Sequence, residues 1–217
     1  MDIHHFDYEK ASVQTATEGG YQLCPYIDDV GQRSKYADLI NIYEGPLNDL
    51  GENRSAFSIN YLQKASTGEF KKIQNAMRSY REHVHAFSKE VMWTSAKQGD
   101  IYKKFEAVKG FKYTKRLSPE EKKNDPKEFR CFVSCNAKAT NDFSERTVLL
   151  YLLNRFPNPE VIKYFAHAGS PISPNAFAVS ELLQWIWRSA IRNEQPISLY
   201  IPSFRMRELL KNWLGVS

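Results

Sequence analysis

The chain contains no apolar run approaching the roughly 18 residues that a membrane-spanning helix requires. Its start, MDIHHFDYEK, lacks the charged-then-apolar pattern of a signal peptide. There is no GxxxxGKS or GxxxxGKT loop, and no Asp-Glu pair closing an apolar strand; Asp28-Asp29 follows only Pro25-Tyr26-Ile27, too short a stretch to serve. An ATPase cannot omit a phosphate cradle and a magnesium ligand, so the chain alone is expected not to hydrolyse ATP. Cysteine is scarce, and Cys24, Cys131 and Cys135 are an odd number without CxxC spacing, which argues against a disulfide framework and a zinc site. The adjacent His4 and His5 point apart on any regular element, and His83 and His85, two apart on a helical stretch, face different directions, so no metal site is expected. These absences together point to a soluble cytoplasmic protein.

What is present is a chain of 217 residues, 42% apolar, long enough to bury an ordinary core. Its charge is uneven. Lys97 to Lys138 holds twelve Lys/Arg against six Asp/Glu, leaving eighteen against nineteen elsewhere, so the net +5 sits in the middle. Tyr102, Phe105, Phe111 and Tyr113 lie among those lysines, a composition suited to following a nucleic-acid backbone while offering stacking surfaces. A solvated lysine-rich surface has the same composition.

Periodicity gives the elements. The first thirty residues have no sustained period and read as an irregular arm or a pair of short strands. Lys35 to Tyr43 places Tyr36, Leu39, Ile40 and Tyr43 at helical steps, stopped by Gly45-Pro46. From Gly68, the positions Phe70, Ile73, Met77, Tyr80, Val84 and Phe87 keep a helical period. EVMWTS is a short β-prone run, Lys97 to Val108 is helical, and Ser118-Pro119-Glu120-Glu121 opens a helix over Pro119 to Phe129. RCFVSC reads as a strand with both cysteines on one face as small buried hydrophobes. RTVLLYLLNRF is apolar all round, a buried strand or a buried helix, and Glu160 to His167 is a short helix.

Asn175 to Trp213 reads as a long amphipathic helix, a turn, a strand and a closing helix. On that first helix Gln184, Arg188 and Arg192 lie four apart, advancing about 40° per step, so they share a stripe away from the apolar one. Two guanidinium groups and an amide turned out together suit a phosphate; a solvated face has the same pattern. Strands near Val91, Phe132, Leu150 and Leu199, separated by helices, predict a parallel sheet covered on both faces. Ligands of such sheets sit beyond the carboxyl ends of the strands, here the loops Thr94 to Gln98, Asn136 to Phe143 and Pro202 to Arg205.

Four segments in order, VMWTS, GFKYTKRLSPEE, FVSCNAKATNDFSERTVLLYLLNRFPNP and AVSELLQWIWRSAIRNEQPISLYIPSFRMRELL, resemble the second RecA-like domain of superfamily-two DEAD/DEAH-type helicase-like proteins of phages and mobile elements. The resemblance covers Glu90 to Leu214. It implies an α/β fold, a RecA-like parallel sheet with flanking helices over residues 68–217, preceded by a partly helical appendage over 1–67. It also implies that Arg188 and Arg192 act as arginine-finger groups on a transferring phosphoryl, supported by Gln184, once a partner lobe supplies ATP and Mg²⁺. Trp93, Thr94, Lys97, Lys138, Thr140, Asn141 and Arg205 would contact nucleic acid, DNA in preference. The usual arginines of this motif lie three apart and here lie four apart, which leaves open which is the finger. Two functions follow: a helicase-like lobe that binds nucleic acid and completes an NTPase site in trans, or a non-enzymatic interaction protein, a decoy or inhibitor of a phage or host nucleic-acid machine.

Overall fold

The computed structural model describes residues 13–15, 21–23, 30–124, 126–137, 142–167 and 172–216. A short antiparallel pair, β1 (Val13–Thr15) and β2 (Tyr21–Leu23), comes first, followed by helix α1 (Val30–Leu39) and strand β3 (Ile40–Ile42). Ile40 therefore belongs to a strand, not to the helix its spacing predicts. Three-residue steps in so short a segment serve either element, and the pairing with a buried strand decides.

A 3-10 turn, Pro46–Gly51, leads to α2 (Ile59–Lys64) and α3 (Thr67–His83). Ser66 and Glu69 form a reciprocal capping box at the start of α3, which buries Phe70, Ile73, Met77 and Tyr80. The helix stops at His83, short of the exposed Phe87. Strand β4 (Val91–Ser95) is followed by α4 (Ile101–Glu106) and α5 (Pro119–Asn124). Ser118 and Glu121 cap α5 reciprocally, as the sequence indicates. Strand β5 (Val148–Leu152) settles the all-apolar run as a strand. The chain closes with α6 (Pro159–His167), α7 (Pro174–Ile186), β6 (Ile197–Tyr200) and α8 (Phe204–Leu214).

The main sheet is parallel, in the order β3-β6-β5-β4. Every residue of β4 and β5 is buried, the signature of a sheet covered on both faces. Register places Trp93, Leu150 and Tyr200 on one face. There Trp93 meets Phe105 of α4, and Tyr200 stacks on Tyr80 of α3 at 5.0 Å. Thr94 and Tyr151 fall on the other face, where Tyr151 meets Trp185 of α7 at 5.3 Å. Helices α1 and α8 join α7 on that side through Tyr36–Trp187 and Trp187–Trp213 ring contacts.

Two expectations are corrected. The segment around Phe132 is not a full strand: it makes a single parallel bridge beside β4, with the Trp93 amide donating to Cys131 O and the Val133 amide donating to Trp93 O, both at 2.9 Å. The boundary at residue 67 cuts through the sheet, because β3 pairs with β6, and the amide of Asn154, beyond β5, donates to Phe57 O at 2.8 Å. The described chain from α1 onward shares one hydrophobic core.

Gly51 marks a tight backbone approach. A Cβ there would lie 1.7 Å from Pro202 O, in the loop that leaves β6. Gly51→Ala is expected to destabilise the fold by about 1–3 kcal/mol through this overpacking, read as a lower urea midpoint at unchanged m-value.

Candidate nucleic-acid interface

A sheet buried on both faces leaves its ends and edges as the places where polar groups reach solvent. At the carboxyl ends of β4 and β5 an open groove of about 1120 Å³ is lined by Tyr61, Lys64, Gln98, Asn154, Arg155 and Phe156, among others. Asn154, just past β5, holds its floor. Its side-chain amide donates to Arg54 O and Ala56 O, tying the loop before α2 to the sheet.

Arg205, in the first turn of α8, does not line the groove itself but braces its wall at Asn154, Arg155 and Phe156 from behind. It donates to Asn154 Oδ1 and Arg155 O at 2.9 Å, and to Pro174 O and Asn175 Oδ1 at 3.2 and 3.0 Å. Its guanidinium lies 4.3 Å from the centre of the Phe156 ring. Burial, and then the neighbouring Arg54, lower its pKa. All these acceptors are uncharged, so Arg205 ties residues 154–155 and 174–175 to α8 behind the groove wall. Arg155 is instead paired with Glu181 of α7 at 2.8 Å. The loop Leu153–Asn158 that carries much of this groove was not among the three loops singled out from sequence, although Asn and Arg directly after an apolar strand were the signal.

The expected arginine stripe does not exist as one helical face. Helix α7 ends at Ile186; the Ser189 hydroxyl donates back to Ile186 O, and the Ala190 amide donates to Arg146 O, just before β5. That bond draws the chain toward the sheet and ends the helix. Gln184 is exposed and bonded only to Ser180, whereas Arg188 is 8% exposed and donates to Ala137 O at 2.7 Å. Arg192 is exposed on a separate 3-10 turn, Ala190–Asn193. The amide and the two guanidinium groups are thus dispersed over three environments.

Beneath α7, Arg188 Nη1, the Tyr151 hydroxyl and the Thr94 hydroxyl are buried without a hydrogen-bond partner among the described residues. Burial raises the pKa of Tyr151 and of Cys135 and lowers that of Arg188.

Trp93 is fully buried and donates its indole N–H to Phe111 O at 2.7 Å, so it belongs to the core and offers no face to a ligand. Thr94 is buried as well. Lys97 is exposed, 5.8 Å from the Phe132 ring centre. Lys138, Thr140 and Asn141 lie outside the described residues.

The basic segment forms an arm. Lys112–Thr114 runs antiparallel to Phe129–Cys131, with the Thr114 amide donating to Phe129 O and the Cys131 amide to Lys112 O; α5 lies between these two stretches. Lys109, Lys112, Arg116, Lys122 and Lys123 are exposed, while Lys115 pairs with Glu121 and Arg130 with Glu106. Phe105 and Phe111, expected as stacking surfaces, are fully buried in the core, because their spacing serves α4 and the sheet instead.

Arg188→Ala is expected to lower stability by about 1–3 kcal/mol through loss of its bond to Ala137, whereas Gln184→Ala stays within about 0.5 kcal/mol; thermal melts separate the two. Burial pushes the Cys131 thiol up to about 12. Since only the thiolate alkylates, Cys131 is expected to resist iodoacetamide at pH 8 until urea unfolds the chain.

Comparison with known proteins bears on this geometry. The family model of the YonV C-terminal Rossmann-like domain matches residues 34–214. The SPbeta prophage-derived uncharacterized protein YonV of Bacillus subtilis (strain 168) is 37% identical over 215 residues, a match covering 98% of this chain and 47% of that protein. The chain thus spans about half the length of the curated relative. No solved structure matches. The parallel α/β sheet agrees with the Rossmann-like description, and the matched range runs from α1 to the last turn of α8: the chain belongs to the family of YonV C-terminal Rossmann-like domains.

Proposed function

We propose that this domain is a nucleic-acid-binding lobe of a helicase-like assembly of prophage type. The observation that carries the reading is the arm between α4 and β5. Lys109, Lys112, Arg116, Lys122 and Lys123 stand exposed there, without ion-pair partners among the described residues. Exposed cations held apart from carboxylates are what a phosphodiester backbone neutralises, releasing its counterions. Lys97 and Gln98 connect the base of this arm with the groove at the sheet's carboxyl end, where Phe156 and Tyr61 offer rings beside Arg205 and Lys64. Rings beside cations and amides suit unpaired bases more than a duplex.

ATP and Mg²⁺ enter this reading through a partner lobe, because the chain has no phosphate cradle of its own. Of the three residues that the helicase likeness names, Arg192 is the exposed guanidinium, and it serves as the group that would reach a partner's nucleotide. Arg188 would first have to leave Ala137.

The test is binding of a fluorescent single-stranded oligonucleotide across a salt series. Each phosphate contact contributes roughly 0.7 to the slope of log affinity against log salt. Replacing Lys112, Arg116, Lys122 and Lys123 together by Gln is expected to reduce that slope by about 2–3 and to weaken binding at least tenfold. Lys163→Gln on α6 leaves it unchanged. Binding that is undetectable, or that ignores salt, overturns the proposal.

A further inference from the structure

Helix α6 has nine residues, and none of them is buried. Val161, Tyr164 and Phe165 recur at three- and four-residue steps and are all exposed, Tyr164 at 69%, with the Tyr164 and Phe165 rings edge-on at 5.5 Å. Val161 and the exposed Phe156 line the same groove, so the stripe continues into its wall. A helix this short is marginal in water by itself, and helices of globular domains draw their stability from the apolar stripe they bury. Here the stripe is exposed, and no residue of α6 joins the described hydrophobic core.

The charge on α6 selects among possible occupants. Its cation in mid-helix, Lys163, pairs with Glu160 at 3.3 Å, so the stripe brings no uncompensated lysine or arginine to a phosphate backbone or an anionic membrane. The surface that complements it is apolar protein. A freely diffusing protein needs on the order of 1,200–2,000 Å² of buried surface for a stable complex. A domain tied to its neighbour by a linker holds it at high effective concentration and manages with about 600–1,500 Å². A three-residue stripe fits the second case. In the YonV relative this domain corresponds to 47% of the polypeptide, leaving about as much chain again beside it.

We infer that the exposed face of α6 is an interdomain contact: in the longer proteins of this family it is covered by the remaining half of the same polypeptide. The inference rests on Tyr164 and Phe165, which do not line the groove proposed for nucleic acid; Val161 alone stands at the border of the two surfaces.

Hydrogen–deuterium exchange tests it. The amides of α6 in this chain are compared with the aligned segment in the full-length Bacillus subtilis relative, each normalised to its intrinsic rate. Exchange at α6 in this chain should lie near the intrinsic rate, and the aligned helix in the full-length protein should exchange at least tenfold more slowly. Equal rates in the two proteins overturn the inference. Protection of α6 in this chain on adding a single-stranded oligonucleotide overturns it in favour of nucleic acid, and protection that grows with the concentration of this chain alone overturns it in favour of a second copy. As a control for a structural role, the double variant Tyr164→Ser with Phe165→Ser should leave the melting temperature of this chain within about 2 °C of the parent, because neither ring is buried. A larger fall shows that the stripe supports this domain itself, and overturns the inference.

Discussion

The constraint on which the rest depends is a parallel sheet whose central strands β4 and β5 are buried residue by residue. Parallel strands need helical crossovers, those crossovers cover both faces, and what remains open is the rims and edges. The rim loops are then held by backbone carbonyls rather than by charge. Arg146 donates to Lys89 O and Glu128 O, Arg188 to Ala137 O, Arg205 to Arg155 O and Pro174 O, and Arg207 to Ile201 O and Pro202 O. Guanidinium suits this work, because its planar fork satisfies several acceptors while its apolar stem stays buried. Such arginines stiffen the loops; Arg207 also pairs with Glu44 at 3.7 Å, whereas Arg205 meets only uncharged acceptors.

Much of the architecture was legible in the sequence, for reasons that can be named. The α3 stripe from Phe70 to Tyr80 is long enough for the helical period to stand out, and Ser66 with Glu69 marks its start chemically. VLLYL could not be assigned by period because burial on both faces erases alternation; pairing with β4 and β6 decides it. β3 was hidden by its length of three residues, too few for any period, and with it the membership of the segment before residue 67 in the sheet was hidden as well.

The site was less legible. Gln184, Arg188 and Arg192 form a stripe only if the helix runs on past Ile186, and Ser189 with the bond from Ala190 to Arg146 ends it there. Burial also cannot be read from residue type. Phe111 looks like a stacking surface among lysines, and Trp93 is a nucleic-acid contact by the helicase likeness, yet one indole N–H bonded to one carbonyl places both in the interior. Conversely, the groove-lining Phe156 stands in the sequence as the last residue of the apolar run RTVLLYLLNRF, yet β5 stops at Leu152 and Phe156 is exposed.

The margins of the sheet have a consequence for how the protein behaves in a crowded solution. At one side β3 is three residues long with Asn41 exposed, and at the other β4 meets only the bridge at Phe132 before the chain turns away. Neither margin presents a long flat ladder of vacant donors and acceptors, the template on which chains polymerise. Truncated borders of this kind guard the molecule against edge-to-edge aggregation while leaving its interior strands as apolar as they need to be.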